Sequence, residues 1–269
     1  MNSSRVLRII LPIGVLGMMV GLACGCSMLR PSIASFELHR MKPDRYFADA
    51  VQANFAEAVG KGDLVTADRL LARGATVNAE GNEGMTPLFW AMAKQNRTGF
   101  EFLLAHDADP NVVTRWSDVA GEDQSASAMD MPAIMEDGAY LHALLEHGGD
   151  PNQVYDSTRQ TPIYAAILNQ RRANVEMLLE AGADINHQDL SRKTPIHYSV
   201  NTTHFAMALR LLELGADARL KNRWGFSAVD SLKKFEDRGV RIGSADDKAY
   251  PQLIAELKTR GLWDTAPMR

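Results

Sequence analysis

Cysteine is nearly absent. The 269 residues hold two, Cys24 and Cys26, one residue apart. Neighbours this close cannot staple a fold, so packing alone must hold the core, and the rest of the chain offers no thiol nucleophile. Excess positive charge is missing too. Lys and Arg number 29 against 33 Asp and Glu, a formal net charge of −4. A mildly acidic chain without a clustered basic run argues against nucleic acid as the main partner. No glycine-rich phosphate loop and no GxSxG serine context occur, which removes the usual nucleotide and serine-hydrolase readings. His142, His187 and His204 match no metal-ligand spacing. Glu122, Asp123, Glu136 and Asp137 read as loop carboxylates in water rather than as a catalytic pair. The expectation is therefore a non-enzyme with no cofactor, no metal and no small-molecule substrate.

Long apolar runs are also scarce. One stands out, Ile9 to Ala23, preceded by Arg5 and Arg8 and followed by LACGCS. Fifteen helical residues would span about 22 Å, short of the roughly 30 Å hydrocarbon core, and Pro12, Gly14, Gly17 and Gly21 weaken a helix there. A positive start, an apolar middle and small residues at the end describe an export signal. The ending on cysteine is similar to a bacterial lipobox. That resemblance implies cleavage before a lipid-modified cysteine, Cys26 or alternatively Cys24. Residues 1–25 are then a signal peptide and 26–43 a flexible tether. Asp follows neither cysteine, so the resemblance implies an outer-membrane anchor facing the periplasm.

The rest of the chain is organised around Thr161 to Asn186. Thr161-Pro162 opens a first helix, since Thr caps free N–H groups and Pro fits the first turn. Ile163, Ala165, Ala166 and Ile167 give it an apolar face. Val175, Leu178 and Leu179 give a second helix its face at i, i+3, i+4 spacing. Gly182 stands where a helix end needs a left-handed residue. Neither helix could bury its face alone, so the pair must stack on copies of itself.

Copies exist at Thr86 to Asn111 and Thr194 to Arg219, the latter offset by 33 residues. TPxx, a Leu-Leu pair, then a residue run ending in Ala-Asp recur in register. This resembles the ankyrin repeat, and the resemblance covers about residues 44–262. It implies an all-α solenoid of about five helix-turn-helix repeats with short β-turn fingers, at 44–79, 80–112, 113–153, 154–187 and 188–220, with a C-terminal capping repeat at 221–262. The first repeat lacks TPxx, as an N-terminal cap would. Asp107 stands where other repeats carry Gly, so that helix end should be strained or differently capped. Ser127 occupies the Thr slot of the third repeat, 41 residues after Thr86 rather than 33. The extra residues fall between Val112 and Ala126, around Trp116, and lengthen either the finger or the loop before the first helix. His197 fills the fourth position of TPxx, where imidazole bonds to neighbouring fingers.

Ankyrin domains bind proteins on the concave face of finger tips and first helices. Carried over by register, the resemblance implies a partner surface of Met85, Lys94, Trp116, Ile134, Met135, Leu168, Asn201, Trp224 and Phe226. Several are aromatic or apolar where a neutral surface would be polar. Ankyrin lipoproteins of this layout include immunity proteins that occlude a type VI secreted (phospho)lipase effector. The alternative is a periplasmic scaffold or accessory factor for an envelope or oxidative-stress enzyme. Replacing both Cys24 and Cys26 by Ser should move the protein from the membrane pellet to the soluble fraction. A double variant that stays in the pellet would contradict the lipid anchor.

Overall fold

The computed structural model describes residues 42–117, 123–154, 158–237 and 248–263. The expected signal peptide, the two cysteines and nearly all of the tether lie outside them. The chain divides into two compact units, Met1–Tyr155 and Asp156–Arg269. Each is a short pile of antiparallel helix pairs, so the expected all-α repeat architecture holds. No helix of the described residues is long and apolar enough to cross a membrane.

The first unit contains α1 (Ala50–Lys61), α2 (Leu64–Leu71), α3 (Pro87–Ala93), α4 (Arg97–Ala105), α5 (Asp130–Ile134) and α6 (Ala139–Glu146). Asp49, Asp63 and Asn96 cap α1, α2 and α4 by accepting from the backbone N–H three residues on. These caps matter because helices of 5 to 12 residues are marginal in isolation. Their stability comes from buried faces. Phe55, Val59, Phe89, Trp90, Phe100 and Leu103 are wholly excluded from solvent. On the capping helix α2, Val65 stays 81% exposed, as an end repeat requires. One position sets the spacing of α1 and α4. A Cβ built on Gly99 would lie 1.8 Å from the carbonyl oxygen of Val59.

The eight extra residues of the third repeat take the first of the two expected forms, a longer finger. They extend its finger into an antiparallel hairpin, β1 (Val113–Ser117) and β2 (Asp123–Ser127), in the register Val113↔Ser127 to Ser117↔Asp123. Strand β1 lies against the turn Asn82–Gly84 of the preceding finger. Below the hairpin, Ser127 accepts at Oγ from the N–H of Met129.

The second unit contains α7 (Pro162–Leu168), α8 (Arg172–Glu180), α9 (Pro195–Asn201), α10 (Phe205–Glu213), α11 (Ala228–Asp237) and α12 (Ala249–Thr259). The expected Thr caps divide. Thr86 accepts at Oγ1 from the N–H of Phe89, and Thr194 forms a capping box with His197. Thr161 makes no cap bond, and its hydroxyl is buried without a partner. The N–H of Tyr164 donates to the Thr161 carbonyl instead. Where the fifth repeat has His197, the fourth has Tyr164, whose hydroxyl donates to the carbonyls of His187 and Lys193. Ser227 and Asp230 rebuild the motif in the last repeat. Asp230 Oδ2 accepts from the N–H and hydroxyl of Ser227, and Ser227 Oγ accepts from the N–H of Asp230.

Left-handed residues mark the repeat. They close the second helices at Gly74, Asp107, Gly148, Gly182 and Gly215. Asp107 adopts φ 62°, so the non-glycine there keeps the common turn and bears its strain. Gly99→Ala should destabilise the first unit by about 3 kcal/mol, because a backbone carbonyl cannot move aside as a side chain can. Chemical denaturation checks this, with Gly74→Ala, where a Cβ meets nothing within 4 Å, as the comparison for left-handed strain alone.

Candidate partner-binding surface

The nine residues expected at the partner surface divide between the units. In the first, Met85 is a correction. It is 1% exposed, because its peptide closes the finger turn through Gly81 and Asn82 and folds the side chain inward. Lys94 is half-buried, with Nζ 4.6 Å above the Trp90 ring, and burial lowers its pKa from the usual lysine value. Trp116 belongs to β1, opposite Gln124, not to a loop. Ile134 and Met135 end α5 and are half-buried. A cavity of about 490 Å³ lies among Tyr46, Phe47, Gln52 and Glu80–Asn82. Its polar groups already have structural work: Gln52 exchanges two hydrogen bonds with the Thr76 backbone.

In the second unit, Leu168 is half-buried at the end of α7 and Asn201 is exposed at the end of α9. Trp224 and Phe226 are 57% and 37% exposed on the last finger. Leu190 is 60% exposed on the finger before, where the neighbouring Ser191 carbonyl accepts from the Arg223 N–H beside Trp224. Large apolar side chains this open on adjacent fingers form a patch rather than scattered exceptions.

The finger tips carrying that patch are held rigidly. Leu190 N–H donates to the Thr158 carbonyl (2.7 Å), and Arg223 N–H donates to the Ser191 carbonyl (2.8 Å), so three successive fingers are laced by backbone. Asn222 Oδ1 accepts from the N–H groups of Trp224 and Phe226. Asp189 organises the middle finger. It accepts from the Lys193 N–H at Oδ1 and from the Tyr198 hydroxyl at Oδ2, while Gln160 donates to that hydroxyl. Cations sit on the rings. Lys193 Nζ lies 5.4 Å from the Tyr198 centroid and 5.6 Å from that of Trp224. Arg223 flanks Trp224 at 5.4 Å, and Lys234 Nζ caps Phe226 at 3.2 Å. Tyr198 and Lys234 were not among the expected residues. Their spacing from Thr194 and Ser227 is ordinary helix sequence, and only the fold shows what they touch. Phe235 instead packs edge-on against Phe205, a core role.

His197 links the interior to this rim. Nδ1 accepts from the Thr194 N–H, which leaves Nε2–H to donate to the Phe226 carbonyl. Burial holds the imidazole below its ordinary pKa, helped by Lys193 and opposed by the Phe226 bond, Asp189 and Asp230. His106 and His147 bond through Nδ1 to carbonyls four residues back. Among the described residues, no three His, Cys, Asp or Glu form a metal-binding group.

Comparison with known proteins agrees with this geometry. The family model "Ankyrin repeats (3 copies)" matches residues 131–222, and "Ankyrin repeat" matches residues 83–115. The chain is an ankyrin-repeat protein. Its fold is similar to the crystal structure of the ankyrin repeat domain of Bcl-3, described as a unique member of the IkappaB protein family. The TM-score is 0.60 at 24% identity, over 77% of this chain and 86% of that one. A curated relative, Protein PhlB of Serratia liquefaciens, is 34% identical over 140 residues, 50% of this chain. The match spans 55% of PhlB, so the chain covers about half the length of that relative. Ankyrin architecture supports a protein-binding role.

The lowered His197 pKa gives a signed prediction. Above the ordinary histidine range both folded and unfolded states carry neutral imidazole. As pH falls through that range the unfolded state takes the proton first, so stability is lost on acidification. The second unit should lose stability between about pH 7.5 and 5.5, and His197→Gln should flatten that slope. Denaturant titrations at the two pH values measure it.

Proposed function

We propose that this ankyrin protein is an immunity lipoprotein of the bacterial envelope. It binds a type VI secreted (phospho)lipase and covers the entrance to the active site. The observation that carries the reading is the exposed apolar patch of Leu190, Trp224 and Phe226 on the ankyrin fingers. Exposed aromatic anchors on a preformed surface concentrate binding energy at protein interfaces. The lipobox-like LACGCS supports attachment beside the membrane that such a lipase attacks. An inhibitor of this kind needs no chemistry of its own, only shape and tight contact.

Trp224→Ala should leave thermal stability nearly unchanged, since the side chain is mostly in water, yet weaken binding by about 2 kcal/mol or more. The check is co-elution and calorimetry with any lipase-like secreted protein that a neighbouring gene proves to encode. Deletion of the gene should also make cells sensitive to killing by sister cells. A deletion strain that grows normally beside its parent, or a lipase that never co-elutes, counts against immunity. A defect confined to monoculture under envelope stress would point to the scaffold role.

A further inference from the structure

The sequence shows no basic cluster, but the fold makes one. Arg159, Arg192 and Arg223 occupy three successive fingers, and Lys193 and Lys234 join them around the aromatic rings. Arg159 and Arg192 take the same left-handed conformation at equivalent finger positions. Asp189 and Asp230 in the same repeats are engaged locally: Asp189 with Tyr198 and the Lys193 peptide, Asp230 with Ser227. Elsewhere in the unit, arginines are matched by acids. Glu176 accepts from Arg172 and Arg210, Arg210 also meets Glu213, and Arg260 meets Glu256. Of the rim cations, Lys193, Arg223 and Lys234 lie over rings instead.

We infer that this rim is the docking surface for an acidic segment of the protein partner, one that alternates Asp or Glu with aliphatic side chains. The inference rests on the protein-binding reading above and adds the chemistry of what is bound. Each carboxylate would meet a lysine or arginine already positioned over an aromatic ring, and each aliphatic group would rest on Leu190 or a ring edge. Cations ordered before binding lose less freedom on contact. Charge complementarity at such a rim sets orientation and speeds encounter. An anionic lipid surface shares the charge preference, but it fits the rings less well. An interfacial aromatic anchor needs a face free to enter the headgroup layer, and Lys234 covers that of Phe226.

The test uses the full-length protein in detergent. Its probes are synthetic peptides of equal length that place Glu, Gln or Lys between leucines, and vesicles of phosphatidylcholine with or without phosphatidylglycerol. Binding is followed by Trp fluorescence, with Trp224→Phe identifying the reporting ring. The Glu-Leu peptide should bind at least about tenfold tighter than the Gln-Leu peptide, and weaken as salt shortens the Debye length. Arg223→Glu with Lys234→Glu should abolish the preference. The same charge change at Arg69 and Lys258, on helices, should keep it. Equal binding of the Glu and Gln peptides would overturn the proposal. So would preference for phosphatidylglycerol vesicles over the Glu peptide, or a rim double variant that melts like the parent and keeps its preference. The two readings fail separately. A lipase that co-elutes equally well with the rim double variant defeats the acidic-segment rim alone. Acidic peptides that bind while no lipase co-elutes defeat the immunity reading alone.

Discussion

An asparagine clasp between neighbouring repeats is the contact on which each pile depends. Asn78 donates to the carbonyl of Asp107 and accepts from the N–H of Asp109. Asn111 does the same with Gly148 and Asp150. In the second unit Asn186 accepts from the N–H of Asp217. Every bond reaches the chain just past a second helix, where carbonyls have run out of helical partners. Helices of this length cannot hold themselves in water. The clasp fixes the register in which Phe100, Leu103, Leu144, Leu178 and Leu211 become buried, and burial supplies the stability.

Much of this was legible in the chain. Thr-Pro starts, Leu-Leu pairs and left-handed helix ends are local signals, each forced by backbone geometry, and they return in register. The inserted finger was legible as a length but not as a hairpin, because strand pairing around Trp116 depends on the neighbouring turn at Asn82–Gly84. Thr161 looked like a cap and is not one: its hydroxyl is buried without a partner, while the Tyr164 hydroxyl bonds to the next finger. Met85 looked exposed by register, yet its own finger turns inward. Trp224 and Phe226 are exposed. The positive rim was hidden, since its residues are spread from Arg159 to Lys234 and only stacking gathers them.

The proposed recognition depends on how that rim is held. Buried groups support it from behind: Tyr164 grips the carbonyls of His187 and Lys193, and His197 grips that of Phe226. Burial also raises the Tyr164 phenol pKa far above the ordinary range, so it remains a donor. An ankyrin surface with fixed aromatic anchors and ring-stacked cations is built to recognise a protein. The proposed lipid attachment would decide where that recognition happens.

The most direct test is hydrogen exchange on the free protein, read at single amides. The amides of Leu190 and Arg223, which lace the fingers, and that of Asp217, held by the Asn186 clasp, should exchange only when the second unit unfolds globally. They should share one dependence on denaturant. Exchange at these amides as fast as in an open loop would mean that the rim is not preformed, and the account would fail.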